Sequence, residues 1–99
     1  MKMRWSLSAL LDRREAYDSI EAGQPDAALR VDQAIENATQ RLLDFPLTGR
    51  PGRVTATREL PIPRTPYVAV YVVEPDLIRI LRLLHGAQRW PAIDLEEDE

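Results

Sequence analysis

Ninety-nine residues, 44% of them hydrophobic and 29% charged, suffice for one modest core and exclude a chain of several domains. There is no cysteine and only one histidine, which excludes disulfides and thiolate metal sites and argues against a zinc centre. The net charge of −3 conceals an uneven distribution: residues 1–49 carry −2, residues 50–91 carry +4 and residues 92–99 carry −5.

A basic segment inside an acidic chain can still attract an anionic partner through its local field. The ordinary alternative is arginines scattered over a solvated surface. Twelve of the thirteen basic residues are arginine, whose planar fork suits bidentate contact with carboxylate or phosphate. No apolar run approaches the roughly 20 residues needed to span a bilayer, and the start of the chain lacks the long apolar stretch of a signal peptide. The expectation is a cytoplasmic protein with no membrane contact, no metal and no cofactor.

In chain order, Met3 to Leu7 alternates apolar and polar residues, as a short half-buried strand does. Ser6 or Ser8 can then cap a helix whose broad apolar face holds Ala9, Leu10, Ala16, Tyr17 and Ile20. Gly23 stops it, and Pro25 suits the first turn of a second helix, where its missing N–H costs nothing. Ala28, Val31, Ile35, Ala38 and Leu42 recur in threes and fours, the clearest periodic signal in the chain. So short a link predicts an antiparallel helical hairpin.

Residues 45–52, Phe-Pro-Leu-Thr-Gly-Arg-Pro-Gly, are loop material. Three strands are then expected. Thr57 to Ile62 contains Pro61, which places it at an edge or bulge because proline cannot donate to a ladder. Tyr67 to Val73 is an almost unbroken β-branched and aromatic run suited to a central strand. Leu77 to His85 follows the tight turn Glu74-Pro75-Asp76 as its hairpin partner. The order strand, helix, helix, strand, strand, strand predicts an α+β domain over residues 1–91, with a helical hairpin on a small antiparallel sheet. Residues 92–99 read as an acidic tail, either a solvated end or a weak cover for the nearby end of the sheet.

Several segments together resemble the RelE/ParE family of toxins from type II toxin–antitoxin systems. They are Trp5-Ser6, Pro25-Asp26-Ala27-Ala28, the run from Phe45 to Arg53, Thr57-Arg58-Glu59-Leu60, Pro66-Tyr67-Val68-Ala69-Val70-Tyr71, and Ile80 through Pro91. The resemblance spans residues 3–91 and rests on order and spacing, since each segment alone is weak. It implies a β-α-α-β-β-β fold and a cognate protein antitoxin whose C-terminal segment wraps over the toxin.

The resemblance also implies one of two activities. ParE-like members act on DNA gyrase, with a role in plasmid stabilisation, and need no hydrolytic site. RelE-like members are metal-independent endoribonucleases that cut messenger RNA on the ribosome. Such cutting needs cations at the phosphate and acid/base groups within hydrogen-bond reach. Many cutting members have an arginine just after the aromatic residue that opens the middle strand; this chain has Val68. They also often carry arginine, lysine or tyrosine beyond the last strand, where this chain has Arg89 and no tyrosine. The depleted set favours the gyrase reading. A third reading is a relative that has lost toxicity and only binds its antitoxin.

If the chain is a ribonuclease, the candidates are His85, Arg58, Arg82 and Arg89. His85 has an intrinsic pKa near 6.5 suited to proton transfer, but can equally bond a loop backbone or a partner. Contacts with target or antitoxin are expected from Arg58, Tyr67, Arg79, Arg82, His85, Gln88 and Trp90. Glu59 reads as a surface or ion-pair residue. Strict alternation places Arg79 and Arg82 on opposite faces of their strand.

Overall fold

The computed structural model describes residues 1–86 and Trp90. Gln88, Arg89 and the acidic tail 92–99 lie outside the described residues. Strand β1 (Lys2–Trp5) keeps the expected alternation, with Met3 and Trp5 packed against the core and Lys2 and Arg4 exposed. Ser6 then caps helix α1 (Leu7–Glu21): its hydroxyl oxygen accepts from Ala9 N at 3.0 Å and its O–H donates to Leu81 O at 2.9 Å. One side chain therefore starts the helix and ties it to the sheet.

Helix α1 departs from the expected face. It buries Ala9 and Ala16, while Leu10 is 50% exposed and sits with the still more exposed Leu7 and Leu11. Small residues let the helix backbone approach the sheet closely, and a helical pitch of 3.6 residues then rotates the leucines outward. Helix α2 (Pro25–Gln40) follows the predicted pattern: Ala28 and Ile35 are buried, as is Leu42 in the 3-10 turn Arg41–Leu43, with Val31 and Ala38 packed beside them. Buried Thr39 satisfies its hydroxyl on Ile35 O at 2.8 Å. Between the helices, Arg13 reaches Asp32 at 2.8 Å and Glu36 at 3.2 Å, which pins the hairpin.

The remaining strands are β2 (Arg50–Pro51), β3 (Arg58–Pro61), β4 (Tyr67–Glu74) and β5 (Leu77–His85). They form one sheet in the order β1-β5-β4-β3-β2, with β4 central. Because β2 covers only Arg58 and Glu59, Pro61 faces an unpaired edge, where its missing N–H is harmless. The pairs from β2 to β5 are antiparallel, as expected, while β1 runs parallel to β5, with Lys2 opposite Leu77 and Trp5 opposite Ile80. A parallel neighbour requires a long crossover, and everything from α1 to β4 supplies it.

Ile35, Leu42, Leu60, Ile62, Tyr71, Ile78 and Ile80 fill the space between the helices and the sheet. Each such side chain contributes about 1.5–3 kcal/mol on burial. No helix among the described residues is long and apolar enough to cross a membrane.

Candidate functional site

The two faces of the sheet separate the candidate residues. Opposite Tyr71 of β4 stands Ile80, and opposite Val70 stands Arg82, so Leu81 is an extra residue in β5. This bulge resets the alternation. Arg79 and Arg82 therefore share the face turned away from the helices, which corrects the expectation that they point opposite ways. Leu83 and His85 return to the helix side with Ala69 and Tyr67.

Arg82 is held firmly. Its Nε and Nη2 donate to the Asp12 carboxylate at 2.7 and 3.0 Å, a fork that reaches round the edge of the sheet to α1. The same carboxylate accepts from Leu83 N at 2.9 Å, where β1 no longer covers β5. Its hydrogen bonds to Asp12 raise the Arg82 pKa further despite partial burial. The Trp90 ring lies 5.9 Å from the Arg82 guanidinium carbon, and Arg79 pairs with Glu74 at 3.3 Å in a solvent-exposed contact.

Tyr67 and His85 face each other across β4 and β5, their rings edge to face with centroids 5.6 Å apart. They border a cavity of about 340 Å³, closed on the far side by Asp12, Glu15, Ala16 and Ser19 of α1. Among the described residues the lining combines two carboxylates with a histidine and a phenol and includes no arginine.

Arg58 and Glu59 serve the loop before β3. Arg58 Nη1 donates to Gly49 O at 2.6 Å and more weakly to Leu47 O at 3.4 Å. Tyr71, wholly buried, donates from Oη to Pro46 O at 2.8 Å and accepts from Gly49 N at 2.8 Å. Gly49 is required there, because a Cβ would lie 2.7 Å from the Tyr71 hydroxyl and 2.9 Å from Glu59 O. Glu59 is only 1% exposed, not a surface residue. Its carboxylate accepts from Arg53 Nε at 3.0 Å, Arg53 Nη2 at 3.2 Å, Arg53 N at 3.0 Å and Arg50 Nη2 at 3.3 Å. The hydrogen bond from Arg53 leads the causes that hold the Glu59 pKa below the usual carboxylate range, against the opposing effect of burial.

Among the described candidates, Arg58 is thus remote from His85. Arg58 and His85 lie on strands flanking β4, opposite residues four apart along it, so their backbones are roughly 17 Å from each other at ordinary strand spacings. Arg82 is on the other face. No group of three potential metal ligands gathers among the described residues.

Residues 3–90 match the family described as ParE toxin of type II toxin–antitoxin system, parDE. The chain belongs to the RelE/ParE toxin family. Among its relatives is Y4kP of Sinorhizobium fredii, a protein that bears a toxin name; it is 43% identical over 94 residues, covering 93% of this chain and 95% of that one. Toxin RelE2 of Caulobacter vibrioides is 32% identical over 84 residues, covering 85% and 93%. A solved structure described as a chromosomal ParDE toxin–antitoxin system from P. aeruginosa superposes with a TM-score of 0.78 at 30% identity, over 86% of this chain and 95% of that one. The protein is a toxin of a type II pair, and its family implies a cognate protein antitoxin.

The sequence alone does not give the partners of two residues of this toxin's architecture, although Glu59 is the ion-pair residue that one of its two expected readings allowed. Asp12 reads there as one more polar residue of an amphipathic helix, and nothing local pairs it with Arg82, 70 residues away. Glu59 carried a faint signal, a lone acid in a strand that follows two loop arginines, but only the fold of that loop turns the arginines onto it.

Proposed function

We propose that this toxin acts as ParE-like members do, by binding DNA gyrase in the cytoplasm, and does not cut messenger RNA. The observation that carries this reading is that the described cutting candidates do not converge on one point. Stabilising a phosphorane requires cations and an acid/base pair around one phosphorus, within hydrogen-bond reach. Here Arg58 is engaged by loop carbonyls, Arg82 is forked onto Asp12, and His85 borders a cavity whose lining includes the carboxylates of Asp12 and Glu15. Val68 leaves the start of the middle strand without a cation.

The test is parallel assay of the purified toxin on gyrase supercoiling and on ribosome-bound message. Inhibited supercoiling with intact message is the expected outcome. Message cleavage that disappears in His85→Ala would overturn it, and would place proton transfer in the Tyr67–His85 cavity. A toxin inert in both assays that still binds its antitoxin would point to lost toxicity.

A further inference from the structure

A second hollow, of about 570 Å³, lies between α2 and the turn that joins β3 to β4. Its floor is apolar, made by Ala27, Val31, Ala34 and Pro63, and its rim carries Arg30 and Arg64. Both arginines are exposed, and neither forms an ion pair or hydrogen bond among the described residues, unlike Arg13, Arg50, Arg53, Arg79 and Arg82. Gln33 and Asn37 complete the rim and are bonded to one another at 2.9 Å.

Of the acidic side chains of α2, Asp26 lies one turn before Arg30 and forms no ion pair with it among the described residues. Asp32 and Glu36 are turned to Arg13 of α1, on the other side of the helix. Arg64 adds a second observation. Its φ is +62°, a left-handed conformation that residues with a Cβ seldom adopt and that concentrates where ligands bind. Thr65 braces the turn, with its hydroxyl donating to Ile62 O at 3.0 Å and accepting from Tyr67 N at 3.0 Å.

We propose that this hollow docks an acidic amphipathic segment of the antitoxin, with an apolar side chain on the floor and carboxylates at Arg30 and Arg64. The chemistry selects that partner. An apolar floor gives a phosphodiester backbone nothing to contact, whereas an apolar anchor with flanking carboxylates satisfies both floor and rim. The net charge of −3 also disfavours a polyanion at long range. The proposal rests on the antitoxin partner implied by the family, and not on whether gyrase or message is the target.

The experiment measures binding of the purified cognate antitoxin to Arg30→Glu, Arg64→Glu, the double variant, and Arg14→Glu. Arg14→Glu imposes the same charge change on α1, away from the hollow. Both rim residues are exposed, so unchanged circular dichroism should confirm folding. Each single reversal is expected to weaken binding about tenfold at low salt, and the double by more, with Arg14→Glu within about twofold. Raising salt should shrink these differences. Amide shifts on adding antitoxin should concentrate at residues 27–37 and 63–65. Affinity equally unaffected in all variants would overturn the proposal while leaving the family assignment intact. So would a DNA or RNA oligonucleotide displacing antitoxin from these amides. If the unaltered toxin fails to bind antitoxin at all, the implied partnership fails first and the docking site with it.

Discussion

Replacing Tyr71 by Phe isolates one hydroxyl that joins the sheet to the loop preceding β2. The ring remains in the core, and two backbone groups lose their partner: Gly49 N–H and Pro46 C=O, each 2.8 Å from Tyr71 Oη. Gly49 is buried, so its N–H has no ready access to water; Pro46 is half-buried and can be rehydrated in part. A buried donor left unsatisfied costs about 1–3 kcal/mol, and a partly rewetted acceptor less. The expected loss is therefore about 2–3 kcal/mol. For a domain of this size that is roughly a 10 °C or greater fall in Tm. Urea denaturation of the isolated toxin, with an unchanged slope, would measure it. A loss under about 0.5 kcal/mol would refute the reasoning, because it would mean that the Gly49 N–H is hydrated in the folded protein.

Asp12→Ala removes both the Arg82 fork and the acceptor for Leu83 N–H, so stability should fall by about 2 kcal/mol, and the Leu83 amide should exchange faster than that of Ile78. Glu59 has a lowered pKa in the folded state, so its contribution is present above the unfolded value near 4.5 and is lost as pH falls through the lower folded value. Stability measured from pH 6 to pH 3 should consequently decline more steeply in the native protein than in Glu59→Gln; parallel curves would contradict the assignment. Ala56 has φ +72°, and Ala56→Gly should stabilise by up to about 1 kcal/mol in thermal unfolding, since glycine accepts that conformation without a Cβ clash. Arg14→Ala should change stability by less than about 0.5 kcal/mol, because its 3.2 Å pair with Asp18 is exposed on one helix.

The sequence by itself determined the elements wherever a local pattern has a single structural solution. The spacing from Ala28 to Leu42 admits one buried helical face, and the β-branched run from Tyr67 admits a central strand. Ser6 and Pro25 marked helix starts because capping chemistry is local to one turn. Family membership was legible for the same reason: many weak local segments recur in one order along the chain.

What needed the tertiary structure was everything set by partners distant in the chain. Strict alternation separated Arg79 from Arg82, and only the pairing of β5 with β4 reveals the extra residue at Leu81 that unites them on one face. Hydrophobicity placed Leu10 inside, but close approach of α1 through Ala9 and Ala16 turned it out. The parallel pairing of β1 depends on where a crossover closes, which no short window of sequence encodes. Glu59 and Asp12 are polar residues like their neighbours until a loop and a strand edge bring arginines and an open N–H to them. The burial of a charge is settled by those distant partners, because they alone offset its desolvation.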